Sequence, residues 1–234
     1  KVQMIDGFDF PIEVIRSDRK RSAAIALEGS IIKVRVPKSL SDSRIQEIIT
    51  RRAPWIKKKI REALERPVLK AREYVSGETF SYLGKNYRLK VARGEEASIK
   101  LSKGYLCVTT TAKDKDPEKT IKSLLTRWYR EHAETRLAEK TERLGGVIGV
   151  RPNAIKVRDY KARWGSCSST GDISYNWRII LAPHPIVDYV VVHELCHLLE
   201  HNHSAQYWKH VQRYAPDWKD SRAWLKANSE GLFI

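Results

Sequence analysis

The feature that most constrains this chain is a pattern that occurs twice. Three runs of strand-type alternation open it: Phe8-Asp-Phe-Pro-Ile-Glu-Val-Ile15, then residues 22–27, then Ile31-Ile-Lys-Val-Arg-Val36. Glu28-Gly29-Ser30 reads as a hairpin turn between the last two. Ser41 or Ser43 can then cap a helix whose apolar residues Ile45, Ile48, Ile49, Ile56, Ile60 and Leu64 keep helical spacing. Pro54 is expected to kink or split that helix and Pro67 to end it. The same order returns further on. Residues 84–91 resemble 7–14 at an offset of 77, residues 101–110 resemble 27–36 at 74 to 75, and residues 121–127 resemble 45–51 at 76. A β-β-β-α unit near 5–66 is therefore expected again near 76–144.

Beyond the second copy, Gly145-Gly146 is expected to end the long helix. Strands are expected at 154–157 and 173–181, and Pro183 and Pro185 should introduce a helix over about 186–201. Its Tyr-Val-Val-Val start is β-branched and poor for a helix by propensity, so burial on all sides is expected there. Two shorter helices should follow at 205–214 and 219–228, divided by Pro216. The division expected from this order is an N-terminal β-hairpin and helix unit over 1–75, and a second domain over 76–234.

Charge and cysteine usage limit the setting. Of the net +16, residues 1–90 hold +10, from 21 Lys and Arg against 11 Asp and Glu. Such a balance favours phosphate-bearing partners, nucleic acid among them, without identifying one. Three widely spaced cysteines, Cys107, Cys167 and Cys196, argue against a disulfide framework and for a reducing, cytoplasmic compartment. No run approaches the ~20 apolar residues that span a bilayer, and no secretory leader is visible.

Four of the chain's seven histidines fall within His193-Glu-Leu-Cys-His-Leu-Leu-Glu-His-Asn-His203. The first five residues fit HExxH. Histidines at i and i+4 share one helical face, about 6 Å apart, so both can reach one zinc ion at about 2.1 Å. The adjacent Glu194 can then serve as general base toward a water. A helix continuing past His201 would place that residue about 12 Å from His193, too far to close a tetrahedral site. His203 does better if the helix stops near His201-Asn202, where Asn tolerates the left-handed turn. Its spacing matches HExxHxxGxxH sites, with Glu200 standing where those have glycine. Asp217 and Asp220 remain as alternatives. Three histidines and a glutamate suggest an open, catalytic position rather than a closed structural one.

Two blocks, Arg163-Trp-Gly-Ser-Cys-Ser168 and the HELCH helix with Asn202-His203-Ser204 and Trp208, resemble the YgjP-like zinc metallopeptidases, relatives of the SprT-like proteases. Val34-Arg-Val-Pro37, Pro54-Trp55-Ile-Lys57 and the Asn176 to Pro183 stretch extend the resemblance over most of the chain. It implies an α+β fold with a zincin-like catalytic domain whose active-site helix packs on a sheet. It also implies one zinc ion per chain on His193, His197 and His203, with Glu194 as base. The group carries a UTP pyrophosphatase assignment too, so a nucleoside triphosphate, with magnesium, stands as the alternative to a peptide substrate.

Around this centre Arg163, Asn176, Arg178 and Tyr207 are candidate contacts to substrate or transition state. Gly165 reads as a tight bend that lets backbone approach the helix, and Cys196 as a core residue. A third reading, a nucleic-acid-binding module, rests on Arg51-Arg-Ala-Pro-Trp-Ile-Lys-Lys-Lys-Ile-Arg61. Against it, Arg51, Lys57, Lys58 and Arg61 fall opposite the apolar stripe, as on a solvated face.

Overall fold

A computed structural model describes residues 2–3, 11–18, 22–28, 31–64 and 72–234. The chain divides into two units, Lys1–Val68 and Leu69–Ile234. Tyr74, on the near side of the boundary expected at residue 75, packs into the core of the second unit.

In the first unit, β1 (Val2–Gln3), β2 (Ile12–Ser17), β3 (Ala24–Glu28) and β4 (Ile31–Pro37) form a sheet of order β1-β2-β4-β3. Gly29, Ser30, residues 8–10 and Pro67 lie outside the described residues, so the turn, the first strand's start and the helix's end are not seen. Helix α1 (Asp42–Leu64) begins where Ser41 Oγ accepts the Arg44 N–H. It runs unbroken through Pro54. The lost backbone hydrogen bond there is outweighed by burial on both sides, since Ile45, Ile49, Ile56 and Ile60 all enter the core.

The second unit repeats this plan. Strands β5 (Thr79–Tyr82), β6 (Lys85–Gly94), β7 (Ser98–Ser102) and β8 (Tyr105–Thr111) take the order β5-β6-β8-β7, and α2 (Pro117–Ile148) follows. The repeat reaches the register. Ile12 pairs with Ile32 and Val14 with Val34 in the first sheet, as Leu89 pairs with Leu106 and Val91 with Val108 in the second. Both pairs of strands are parallel, and β3 and β7 flank them antiparallel in the same way. The offsets read from the sequence therefore mark equivalent positions in two copies of one unit.

Helix α2 does not stop at the Gly145-Gly146 pair. It ends at Ile148, where Gly149 takes the left-handed conformation and donates its N–H to the Gly145 carbonyl at 2.8 Å. Next come β9 (Ala154–Arg158), β10 (Gly165–Cys167) and β11 (Asp172–Asn176), a sheet of order β10-β11-β9 with β9 and β11 parallel. The strand expected to reach residue 181 stops at Asn176. The Asn176 side chain accepts the Arg178 N–H and starts a 3₁₀ turn, Trp177–Leu181. Helix α3 (His184–Cys196) carries Val190, Val191 and Val192, all buried, so packing overrides their poor helix propensity. Asp188, which breaks that apolar run, meets Lys140 of α2 at 2.6 Å. Helices α4 (Ala205–Tyr214) and α5 (Trp218–Asn228) complete an α+β fold. Among the described residues no helix is long and apolar enough to cross a membrane.

Candidate metal centre

His193 and His197 stand one turn apart at the C-terminal end of α3. The helix closes at Cys196, five residues before the expected stop. Its end is tightened by the Leu198 and Leu199 N–H groups, which reach the carbonyls of Leu195 and Cys196. No left-handed residue makes the return: among the described residues the only non-glycine positions of positive φ are Tyr74, Leu83 and Lys103. The early stop leaves residues 197–204 between α3 and α4, in which the chain turns back. Ser204 caps α4 by accepting the Tyr207 N–H at 3.1 Å, and His203, beside that cap, comes up to the other two histidines.

The ligand-type atoms of His193, His197 and His203 lie within 4.8 Å of one another. His203 Nε2 stands 3.3 Å from His193 Nε2. Two nitrogens bound at about 2.0–2.1 Å to one tetrahedral ion stand about 3.3–3.4 Å apart, so the spacing is that of a tetrahedron's edge. His197 Nδ1 faces the Glu200 carbonyl at 3.2 Å, which places a proton on Nδ1 and leaves Nε2 as the lone-pair donor. The residue standing in the expected glycine position thus orients a histidine through its backbone. Burial, with the neighbouring His197 and His203, lowers His193 to about 3 and keeps it neutral, the form that binds metal. The donor set, its spacing and its protonation fit a zinc ion. His201 is exposed, Asp217 stands at the start of α5 and Asp220 in its first turn; none of the three joins the cluster.

Glu194 is buried, and that burial raises its carboxyl to about 8, with the Arg163 charge pulling the other way. The carboxylate lies over Gly165 of β10: a Cβ on that glycine would come 2.7 Å from Glu194 Cδ and Cγ. The stretch expected to be a tight bend at Gly165 is instead strand β10, paired with β11, and it is the seat of the glutamate, through which α3 packs on the third sheet. Ser166 Oγ bonds the Tyr160 hydroxyl at 3.1 Å. The Cys167 thiol is raised by burial and then by Glu194 and Asp172, which suits neither residue to act as a nucleophile. Cys196 is buried, and burial pushes its thiol up to about 12.

Of the four expected substrate contacts, three are committed to the fold. Tyr207 is fully buried; its hydroxyl donates to the His193 carbonyl at 3.0 Å and its ring stacks on His197 at 4.5 Å. Asn176 donates to the carbonyls of Tyr160 and Arg163. Arg178 pairs with Asp159, and its guanidinium lies over the Trp177 and Phe233 rings. Only Arg163 is exposed near the glutamate, its guanidinium 5.3 Å from the Tyr160 ring centre.

The sequence reading missed the wall beside His203. Trp208 stacks on His203 at 5.6 Å, and Trp218 stacks behind Trp208 at 4.3 Å. Arg222 lies over the Trp208 ring. Trp208 and Trp218 sit on different helices, so no single periodicity pairs them.

A histidine triad beside a turned-back helix end, with a buried carboxylate next to it, is the donor set of a metal-binding hydrolase site. Residues 21–228 match the YgjP-like family, metallopeptidase domain, and the chain belongs to that family. No curated protein matches the chain. Among solved structures, the crystal structure of the metallopeptidase zymogen of Pyrococcus abyssi abylysin is 21% identical over 38% of this chain and 93% of its own. The two superpose with a TM-score of 0.34.

Proposed function

We propose that the protein is a zinc-dependent peptidase, with His193, His197 and His203 as metal ligands and Glu194 as general base. The observation that carries this reading is the triad, three imidazoles gathered at one point with two Nε2 atoms 3.3 Å apart. Three nitrogen donors are a set that zinc takes in catalytic sites, where the ion polarises a scissile carbonyl and acidifies water. The chain's own residues supply the rest. Glu194, held against Gly165, takes a proton from the attacking water and hands it to the amine nitrogen as the peptide C–N bond breaks. Tyr207 and Glu200 fix the ligands through backbone contacts. Arg163 can meet a carbonyl oxygen of the substrate.

Glu194→Gln tests the base. It should keep about one zinc per chain and lose cleavage of unfolded protein and peptides by ~10²–10⁴-fold. His203→Ala should lose the metal, and His201→Ala should keep it. The same preparations are to be run on nucleoside triphosphates with magnesium. Glu194-dependent pyrophosphate release without peptide cleavage would replace the peptidase reading by a nucleotide one. Wild-type turnover in Glu194→Gln would end both.

A further inference from the structure

The first unit carries a groove with no part in the metal centre. Between the edge strand β3 and helix α1 lies a cavity of about 390 Å³, lined by Ala23, Ile25, Ile48, Arg51, Arg52 and Trp55. The four helix residues stand at i, i+3, i+4 and i+7, one face of α1 beside the stripe that fills the core. Trp55 is 39% exposed. Arg51 and Arg52 are exposed, and neither has an ion pair or hydrogen bond among the described residues. Lys58 continues the line of Arg51 and Trp55 along the helix. From Ile48 to Arg61 the chain places six cations and no acid, and among the described residues only Lys59 of these is paired, with Glu62 at 2.7 Å.

The repeat supplies an internal comparison. At the offset of 76, Ile48 and Arg51 correspond to Leu124 and Arg127, Arg52 to Trp128, and Trp55 to Glu131. In the second unit Leu124 and Trp128 are buried, and Arg127 faces Glu131 at 3.9 Å. The face whose large side chains are buried and whose cation is paired in the second copy keeps, in the first, an exposed indole and, among the described residues, unpaired guanidiniums.

We propose that this groove binds single-stranded nucleic acid. An unpaired base stacks on Trp55 above the apolar floor of Ala23, Ile25 and Ile48, while Arg51, Arg52 and Lys58 meet the phosphates. A flat aromatic face with two guanidiniums one turn before it and the Lys58 ammonium one turn after it matches the alternation of base and phosphate; an acidic peptide would satisfy the charge and leave the indole uncovered. Residues 1–68, with 16 Lys and Arg against nine Asp and Glu, add a long-range attraction of the same sign.

The test uses the full chain and a fluorescein-labelled oligothymidylate of roughly 20 nucleotides, followed by anisotropy across a salt series. Wild type should bind, with affinity falling steeply as salt rises. Substituting Arg51→Ala and Arg52→Ala together should weaken binding at least about tenfold. It should also reduce the slope of log K against log salt by about 1.4, the release expected from two phosphate contacts on a single strand. Trp55→Ala should weaken binding roughly five- to 150-fold with little change in slope, and Trp55→Phe should recover much of it. Peptide cleavage should be the same in all of them. No binding at low salt, binding indifferent to these substitutions, or displacement by polyglutamate as readily as by unlabelled oligonucleotide would each overturn the proposal.

Discussion

Glu194 and Gly165 are distant in sequence and touch in the fold, so the glutamate's position depends on a residue that carries no chemistry. A methyl group at 165 would sit 2.7 Å from Glu194 Cδ and Cγ, and the carboxylate would have to move. Gly165→Ala should therefore bind zinc as wild type does, because no ligand is touched. It should lose kcat by about 10²-fold, the usual effect of moving a catalytic group by about 1 Å. Metal content by mass spectrometry and turnover on one peptide decide it; full turnover would mean that Glu194 is not placed by this contact. At this scale the sequence was legible where chemistry is local. His193 and His197, which the structure gathers with His203, are visible by spacing alone. Asn176, Arg178 and Tyr207 looked like substrate contacts because polar type is visible in a sequence and hydrogen-bond partners are not. Their partners are Tyr160, Asp159 and His193, two of them carbonyls that no composition could show.

Helix α4 holds the end of α3, and Tyr207 is the tie between them. Its hydroxyl donates to the carbonyl of His193, a group near the helix end with one hydrogen bond's worth of freedom, and its ring lies flat on His197. Tyr207→Phe removes the first contact and keeps the second. Loss of such support should weaken metal binding about 10- to 100-fold while leaving kcat unchanged at saturating zinc. A transition-state donor would behave the other way, with normal zinc affinity and a kcat loss that added metal cannot repair. Titration with a competing chelator and turnover at saturating zinc separate the two. Element boundaries were the least legible part of the sequence for a related reason. The stop of α3 at Cys196 is set by tightened backbone hydrogen bonds and by α4 drawing His203 back, and neither leaves a residue type at the turn. The stop of α2 was misplaced because two glycines in a row look like an end, whereas Gly145 faces the returning Val150 carbonyl and Gly149 makes the cap.

Across the whole molecule the repeat was legible because register preserves spacing: the offsets of 77 and 74 carry Ile12 and Ile32 onto Leu89 and Leu106, paired alike in the two sheets. What the repeat could not show is that the copies differ in size of core. The first unit buries Ile12, Ile32, Val34, Val36 and four isoleucines of α1. The second unit has a far larger core, joining α2, the third sheet and α3. A unit of some 70 residues buries a smaller share of its surface than one of more than 150 and is the more marginal. The proposed metal ligands His193, His197 and His203 all belong to the larger unit, so zinc bound there should stabilise that unit alone. Zinc at about 1,000 times its dissociation constant contributes about 4 kcal/mol, which corresponds to a rise of very roughly 8–16 °C in the Tm of a domain of that size. Calorimetry should then show two transitions, the lower from residues 1–68 and the higher from residues 69–234. Removing zinc with a chelator should lower the second by that amount and leave the first where it was. A single transition that moves as a whole would show that the two units unfold as one cooperative body, and an unmoved second transition would show that the histidine triad does not hold the ion.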